Sequence, residues 1–160
     1  MIKFLLFYLL LMFLLSGCNS NSNNINVDLF QNKDSYIGNN SAVVNSIINL
    51  EGAKHFSGLE LKTKEEPYGL IVKYDWIGSE LNDNETAINN ASYLFTLIQN
   101  VDWIIFNFEM VDGMEEYKIT RENLQAWYGI ELSEIDSEDK LKELIQKSLE
   151  DSKKVNQFLN

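Results

Sequence analysis

The chain has 160 residues, a formal net charge of −11 and 45% hydrophobic residues. That is one domain's length, too apolar for wholesale disorder, and too acidic for a surface that grips nucleic acid or anionic lipid, since both need a basic face. The single cysteine, Cys18, excludes an internal disulfide.

The amino terminus opens with Met1-Ile2-Lys3 and continues as an uncharged apolar run from Phe4 to Leu15. As a helix this run spans roughly 18 Å, short of the about 20 residues a bilayer core requires. Its positive start and small-residue end fit a secretory signal instead. Leu15-Ser16-Gly17-Cys18 resembles the lipobox of bacterial lipoproteins. The resemblance implies a diacylglycerol thioether on Cys18 and cleavage between Gly17 and Cys18. Residues 1–17 are then a lipoprotein signal peptide, and the mature chain sits on the extracytoplasmic face of the cell membrane, with the membrane as its partner through Cys18. Two or three acyl chains hold a protein stably where one holds it only marginally. Asn19 to Asn24 is polar and low in complexity, so residues 18–35 are expected to be the lipidated cysteine and a flexible polar linker. Val27, Leu29 and Phe30 within it are apolar enough to dock on the domain that follows.

Residues 36–160 read as a single globular domain. Asn39, Asn40 and Ser41 are each suited to cap a first helix over 41–50, whose Val43, Val44, Ile47, Ile48 and Leu50 fall at helical spacing. Leu59, Leu61 and Thr63 alternate with charged residues, which predicts a strand with one wet face. Pro67, the only proline, starts a turn, and Leu70 to Trp76 form a second strand, giving a hairpin. A helix over 85–99 carries Ala87, Ile88, Ala91, Leu94, Phe95 and Ile98 on one stripe. A third strand covers 102–111, and Asp112-Gly113 signals a type I′ hairpin turn into a fourth over 114–120. Thr120 caps a short helix that stops at Gly129, and a last helix from Ser137 shows Leu141, Leu144, Ile145, Leu149 and Ser152 on one side. This order predicts an α+β fold: a small mixed or antiparallel four-stranded sheet made of two hairpins, with helices on one face.

Residues with catalytic potential are sparse. His55 is the only histidine, and with Ser57 it lacks an orienting acid. No Cys/His set fits zinc, so no metal and no cofactor are expected. Asp75 and Asp102 lie near strand ends, where a glycosidase pair could sit, but such ends commonly carry exposed charge. Asn82-Asp83-Asn84-Glu85 offers calcium-type oxygens without the central glycine and reads better as a helix cap. Tyr68, Tyr74, Trp76, Trp103, Trp127 and Tyr128 are candidates to line a groove for a peptide or glycan. Trp103 and Trp127 are assigned to the core, and Tyr68 with Pro67 to a contact surface.

Tyr36-Ile37-Gly38-Asn39-Asn40-Ser41, then Leu61 to Leu70 (LKTKEEPYGL), then Asn90-Ala91 and Leu94 to Asp102 (LFTLIQNVD) are similar to the uncharacterised bacterial domain family DUF4825. The resemblance implies occurrence in bacterial lipoproteins and beside membrane metallopeptidase sensors, and it implies no activity and no catalytic residue. By its positions, Gly38 and Gly69 are expected in turns, and Asn100 as a left-handed helix cap. The expected role is a lipid-anchored extracytoplasmic module that binds or senses an envelope protein or cell-wall ligand, without enzymatic activity. The alternatives are a small cell-wall hydrolase using carboxylates, or a regulatory partner of a membrane sensor.

Overall fold

The computed structural model describes residues 27–159. The signal segment, Gly17 and Cys18 therefore lie outside the described residues. Strands β1 (Phe56–Lys62), β2 (Gly69–Asp75), β3 (Trp103–Met110) and β4 (Gly113–Thr120) form one sheet in the order β1-β2-β3-β4. The β1–β2 and β3–β4 pairs are antiparallel, and β2 and β3 run parallel. Of the two sheet types open from sequence the mixed one is therefore present: a single helix crossing from β2 to β3 returns the chain in the same direction. Period-two alternation puts Leu70, Val72 and Tyr74 of β2 and Ile104, Phe106 and Phe108 of β3 on one buried face. Leu61 and Leu59 of β1 stand opposite Leu70 and Val72 on that same face. The edge strand β4 carries Glu115, Glu116 and Lys118, charges that discourage pairing with another chain.

Five helices follow the caps written in the sequence. Helix α1 (Asn40–Ile47) is capped by Asn39, whose Oδ1 accepts from the Ala42 amide. It stops at Ile47 rather than Leu50, and Leu50 turns inward to be buried. Helix α2 (Asp83–Leu97) is capped by Asn82, which accepts from Glu85 N at 3.0 Å, so the calcium-like stretch is a cap. Helix α3 (Arg121–Tyr128) begins under Thr120 and ends at Gly129 with φ 74°, a conformation that suits glycine. The expected last helix is two: α4 (Glu138–Leu149) and α5 (Ser152–Leu159). Asp151 makes the break, because its Oδ1 accepts from the amides of Lys153 and Lys154 and so starts a new helix.

Three further local expectations are corrected. Met110 pairs with Gly113, so Val111 and Asp112 form the β3–β4 connection, and neither has positive φ. Asn100 makes no left-handed cap; its Oδ1 accepts from Ile37 N at 2.8 Å and ties the chain ahead of α1 to the end of α2. The body also takes in residues assigned to the linker. Asp28 caps a short turn at Leu29–Asn32, Leu29 is buried, Phe30 packs on the core, and Ser35 bonds to Leu97 and Gln99 on either side of Ile98.

Helix α2 is the centre of the molecule. It lies between the sheet and α1, α4 and α5, and it is buried from Thr86 to Leu97 except at Asn89. Three of its four buried polar side chains find hydrogen-bond partners. Ser92 bonds Ile88 O and the Tyr128 hydroxyl, Thr96 bonds Ser92 O, and Asn90 donates to Glu51 O and the Tyr74 hydroxyl. The helix ends against Arg121, whose guanidinium donates to Phe95 O at 2.7 Å, Ile98 O at 2.6 Å and Val101 O at 2.9 Å, and stacks over the Phe95 ring. Phe95 O and Ile98 O are carbonyls that the end of α2 leaves without partners, and Val101 O belongs to the link into β3.

Two outcomes follow for stability. Arg121→Met strands three carbonyls, and urea unfolding should show a loss on the order of 3 kcal/mol. Arg121→Lys recovers little of it, because an ammonium cannot present a planar fork. Burial also pushes up the phenols of Tyr74, Tyr93 and Tyr117, and that of Tyr128 up to about 12. The folded state then holds these protons more tightly than the unfolded chain, whose phenols titrate near about 10. Their contribution is whole below that pH and is lost as pH climbs through the folded values. The urea midpoint should fall above about pH 10, and a flat midpoint from about pH 9 to 12 would contradict this.

Candidate functional site

The sheet's two parallel strands start side by side, and their starts border an open groove. Asp102 sits just ahead of β3, and its Oδ2 accepts from Tyr68 N at 2.8 Å while its own amide donates to Tyr68 O. Trp103 donates from Nε1 to Pro67 O at 3.0 Å. The Trp103 indole lies flat over Gly69, where a Cβ would stand 2.1 Å from the ring. Gly69 is thus required by the close approach of a ring rather than by a turn. Lys118, beside Trp103 on the next strand, holds its ammonium 5.7 Å from the ring centroid. Arg121 N donates to Asp102 O, which brings the first turn of α3 against this corner.

Between the Pro67 turn, the start of β3 and α3 with the loop after it lies an open groove of about 980 Å³. Trp103, Pro67, Ala126 and Ile130 supply apolar surface, and Asp102, Glu122, Glu131 and Glu134 supply carboxylates. Two cations line it, Lys118 and Arg121, but the Arg121 guanidinium is committed to three carbonyls. Burial works against the charge on Arg121, and Asp102 and Glu131 nearby work in its favour. Glu122, Glu131 and Glu134 take part in no ion pair among the described residues.

The residues singled out in the sequence divide between this groove and elsewhere. Pro67 is exposed and lines it, while Tyr68 is half-buried against the core. Trp127 is half-buried and packs against the core, Trp103 is half-buried outside it, and the fully packed tryptophan is Trp76, 5% exposed between Tyr74, Phe108 and His55. Trp127 stacks on Phe158 of α5. His55 is fixed by Nδ1 against Asp75 O at 2.8 Å and has no hydrogen bond to Ser57. Asp75 ends β2 opposite Glu109 while Asp102 precedes β3, so the parallel register separates them by seven residues of strand, on the order of 20 Å. A glycosidase pair works at about 5–10 Å, so these two do not form one. Among the described residues no three His, Cys, Asp or Glu side chains converge on a metal position, and no helix is long and apolar enough to cross a membrane. Arg121 and Lys118 escaped the sequence reading. The available signal was that the chain's only arginine stands at the first position of a helix, where the helix's own dipole disfavours a cation.

The family model of a domain of unknown function, DUF4825, matches residues 29–120. The match takes in Pro67, Asp102, Trp103 and Lys118, and it stops at the residue that caps α3. No curated protein and no solved structure matches the chain.

Gly69→Ala should drive the Trp103 ring off its seat. The expected result is a changed near-ultraviolet signal for one tryptophan and a stability loss of about 1–3 kcal/mol, both checked on the purified protein. An unchanged Trp103 environment would contradict the seating described.

Proposed function

The chain belongs to the DUF4825 family, and from that premise we propose that it is a lipid-anchored, extracytoplasmic binding or sensing module of the bacterial cell envelope. Two things support the reading. The basic start, the apolar run and Leu15-Ser16-Gly17-Cys18 occur in the order a lipoprotein signal requires. The folded body carries the groove at the β3 start, and this is the observation on which the binding role rests.

The groove is built like a recognition site. Its aromatic residue is immobilised on both sides, by Gly69 beneath and the Pro67 carbonyl at its edge, so little side-chain freedom is lost when a ligand meets it. Its carboxylates, Asp102 ahead of β3 and Glu122, Glu131 and Glu134 on α3 and the following loop, are exposed, whereas hydrolysis by paired acids calls for a buried carboxyl of raised pKa. A binder needs shape and a few fixed polar groups, and the groove offers both.

Cys18→Ala should abolish incorporation of labelled fatty acid and release the domain from membranes. A Cys18→Ala protein that still partitions wholly with membranes would remove the anchor from this reading. A photo-crosslinker placed at Ala126 in the groove should trap a ligand in living cells, and one at exposed Val111 on the β3–β4 connection should not. Equal labelling at both positions would overturn the groove as the binding site.

A further inference from the structure

We infer that the groove takes a cationic peptide segment, one bearing lysine or arginine side chains, and that Lys118 is an internal stand-in for the ligand's charge. This rests on the groove being a binding site and adds the chemical class of its occupant.

Four carboxylates line the groove, Asp102, Glu122, Glu131 and Glu134, against two cations. Arg121 is spent on Phe95, Ile98 and Val101, so it has no fork left for an anion. Glu122, Glu131 and Glu134 are exposed and have no ion-pair partner among the described residues. An anionic ligand would meet uncompensated repulsion here, and a cationic one would meet complementary charge.

The second observation concerns the ring. Trp103 already holds an ammonium near it, that of Lys118, 5.7 Å from the centroid, and Lys118 has no carboxylate partner among the described residues. A tryptophan face attracts cations through its quadrupole. The chain thus shows within itself the contact that a ligand's ammonium or guanidinium would make. The Lys118 stem is exposed on an edge strand and free to swing aside, leaving the ring to the incoming charge. Pro67, Ala126 and Ile130 give apolar surface for the aliphatic stems of such side chains.

The test uses the full-length chain in neutral detergent and follows the Trp103 indole N–H by NMR, assigned with Trp103→Phe. The probes are a capped hexapeptide alternating glycine with lysine and arginine, its counterpart with glutamate and aspartate, and a neutral chitooligosaccharide. The basic peptide should shift the Trp103 signal saturably. Its affinity should fall about tenfold in Glu131→Gln/Glu134→Gln and stay unchanged in Glu109→Gln/Asp112→Asn, which removes equal charge at the far end of the sheet. Lys118→Met should tighten binding several-fold by removing the competing ammonium. Equal loss in both double variants would overturn the inference in favour of general attraction to an acidic chain. A shift with the acidic peptide or the sugar but not the basic one would overturn the cationic class and leave a binding groove. No shift with any probe would remove both readings.

Discussion

Arg121 places a guanidinium against the carbonyls of Phe95, Ile98 and Val101, and the geometry of one whole end of the molecule depends on that contact. The arginine stands at the first position of α3, where its charge opposes the dipole of its own helix. It is there for another helix: the negative end of α2 accepts it, and the carbonyls released where α2 stops would otherwise lack partners. From Arg121 the bonding runs on without a gap. Its amide donates to Asp102 O, Asp102 holds both backbone groups of Tyr68, and Trp103 holds Pro67. The end of α2, the starts of β2 and β3 and the start of α3 are thereby one rigid corner, and the groove is its outer surface.

The other constraint is that α2 is buried on nearly every side. A helix packed between a sheet and three other helices normally reads as apolar all round. This one keeps Thr86, Asn90, Ser92 and Thr96 inside and satisfies three of the four with backbone or hydroxyl partners. The Thr86 hydroxyl is the exception, buried without a partner. Helices α1, α4 and α5 pack around α2, and among the described residues no helix covers the sheet's second face. On that face Trp103, Ile105 and Ile71 lie on the two central strands, and Glu60 and Lys62 of β1 form an exposed charge network with Lys73 of β2.

The two ends of the sheet differ in kind. At the end of β2, Trp76 packs on His55, Tyr74 and Phe108 and covers Gly52, whose missing side chain makes room for the indole ring. That end is closed. At the start of β2 the second tryptophan also lies over a glycine, but beside an open cleft. The segment ahead of α1 reaches the stretch that follows α3. Lys33 donates to the carbonyls of Ser133 and Ile135, beside the loop that carries Glu131 and Glu134.

Local chemistry was legible from the chain alone. Asn82, Thr120 and Ser137 cap helices within three residues, Gly129 ends one, and period-two alternation marks four strands in two hairpins. Those signals act over one helical turn or one strand pairing, so the sequence states them directly. Of the residues that line the groove, the sequence singled out Pro67 as a contact surface, Trp103 as a groove candidate assigned to the core, and Asp102 as a strand-end acid. Arg121 meets carbonyls 20 to 26 residues away, Trp103 covers a glycine on the neighbouring strand, and the Asn100 side chain serves Ile37 across 63 residues. None of these leaves a periodic trace, since each depends on where the chain returns after a turn. The tertiary structure alone decided which tryptophan is core and which faces a groove, because burial is a property of neighbours brought together by the sheet rather than of the residue's own surroundings in the chain.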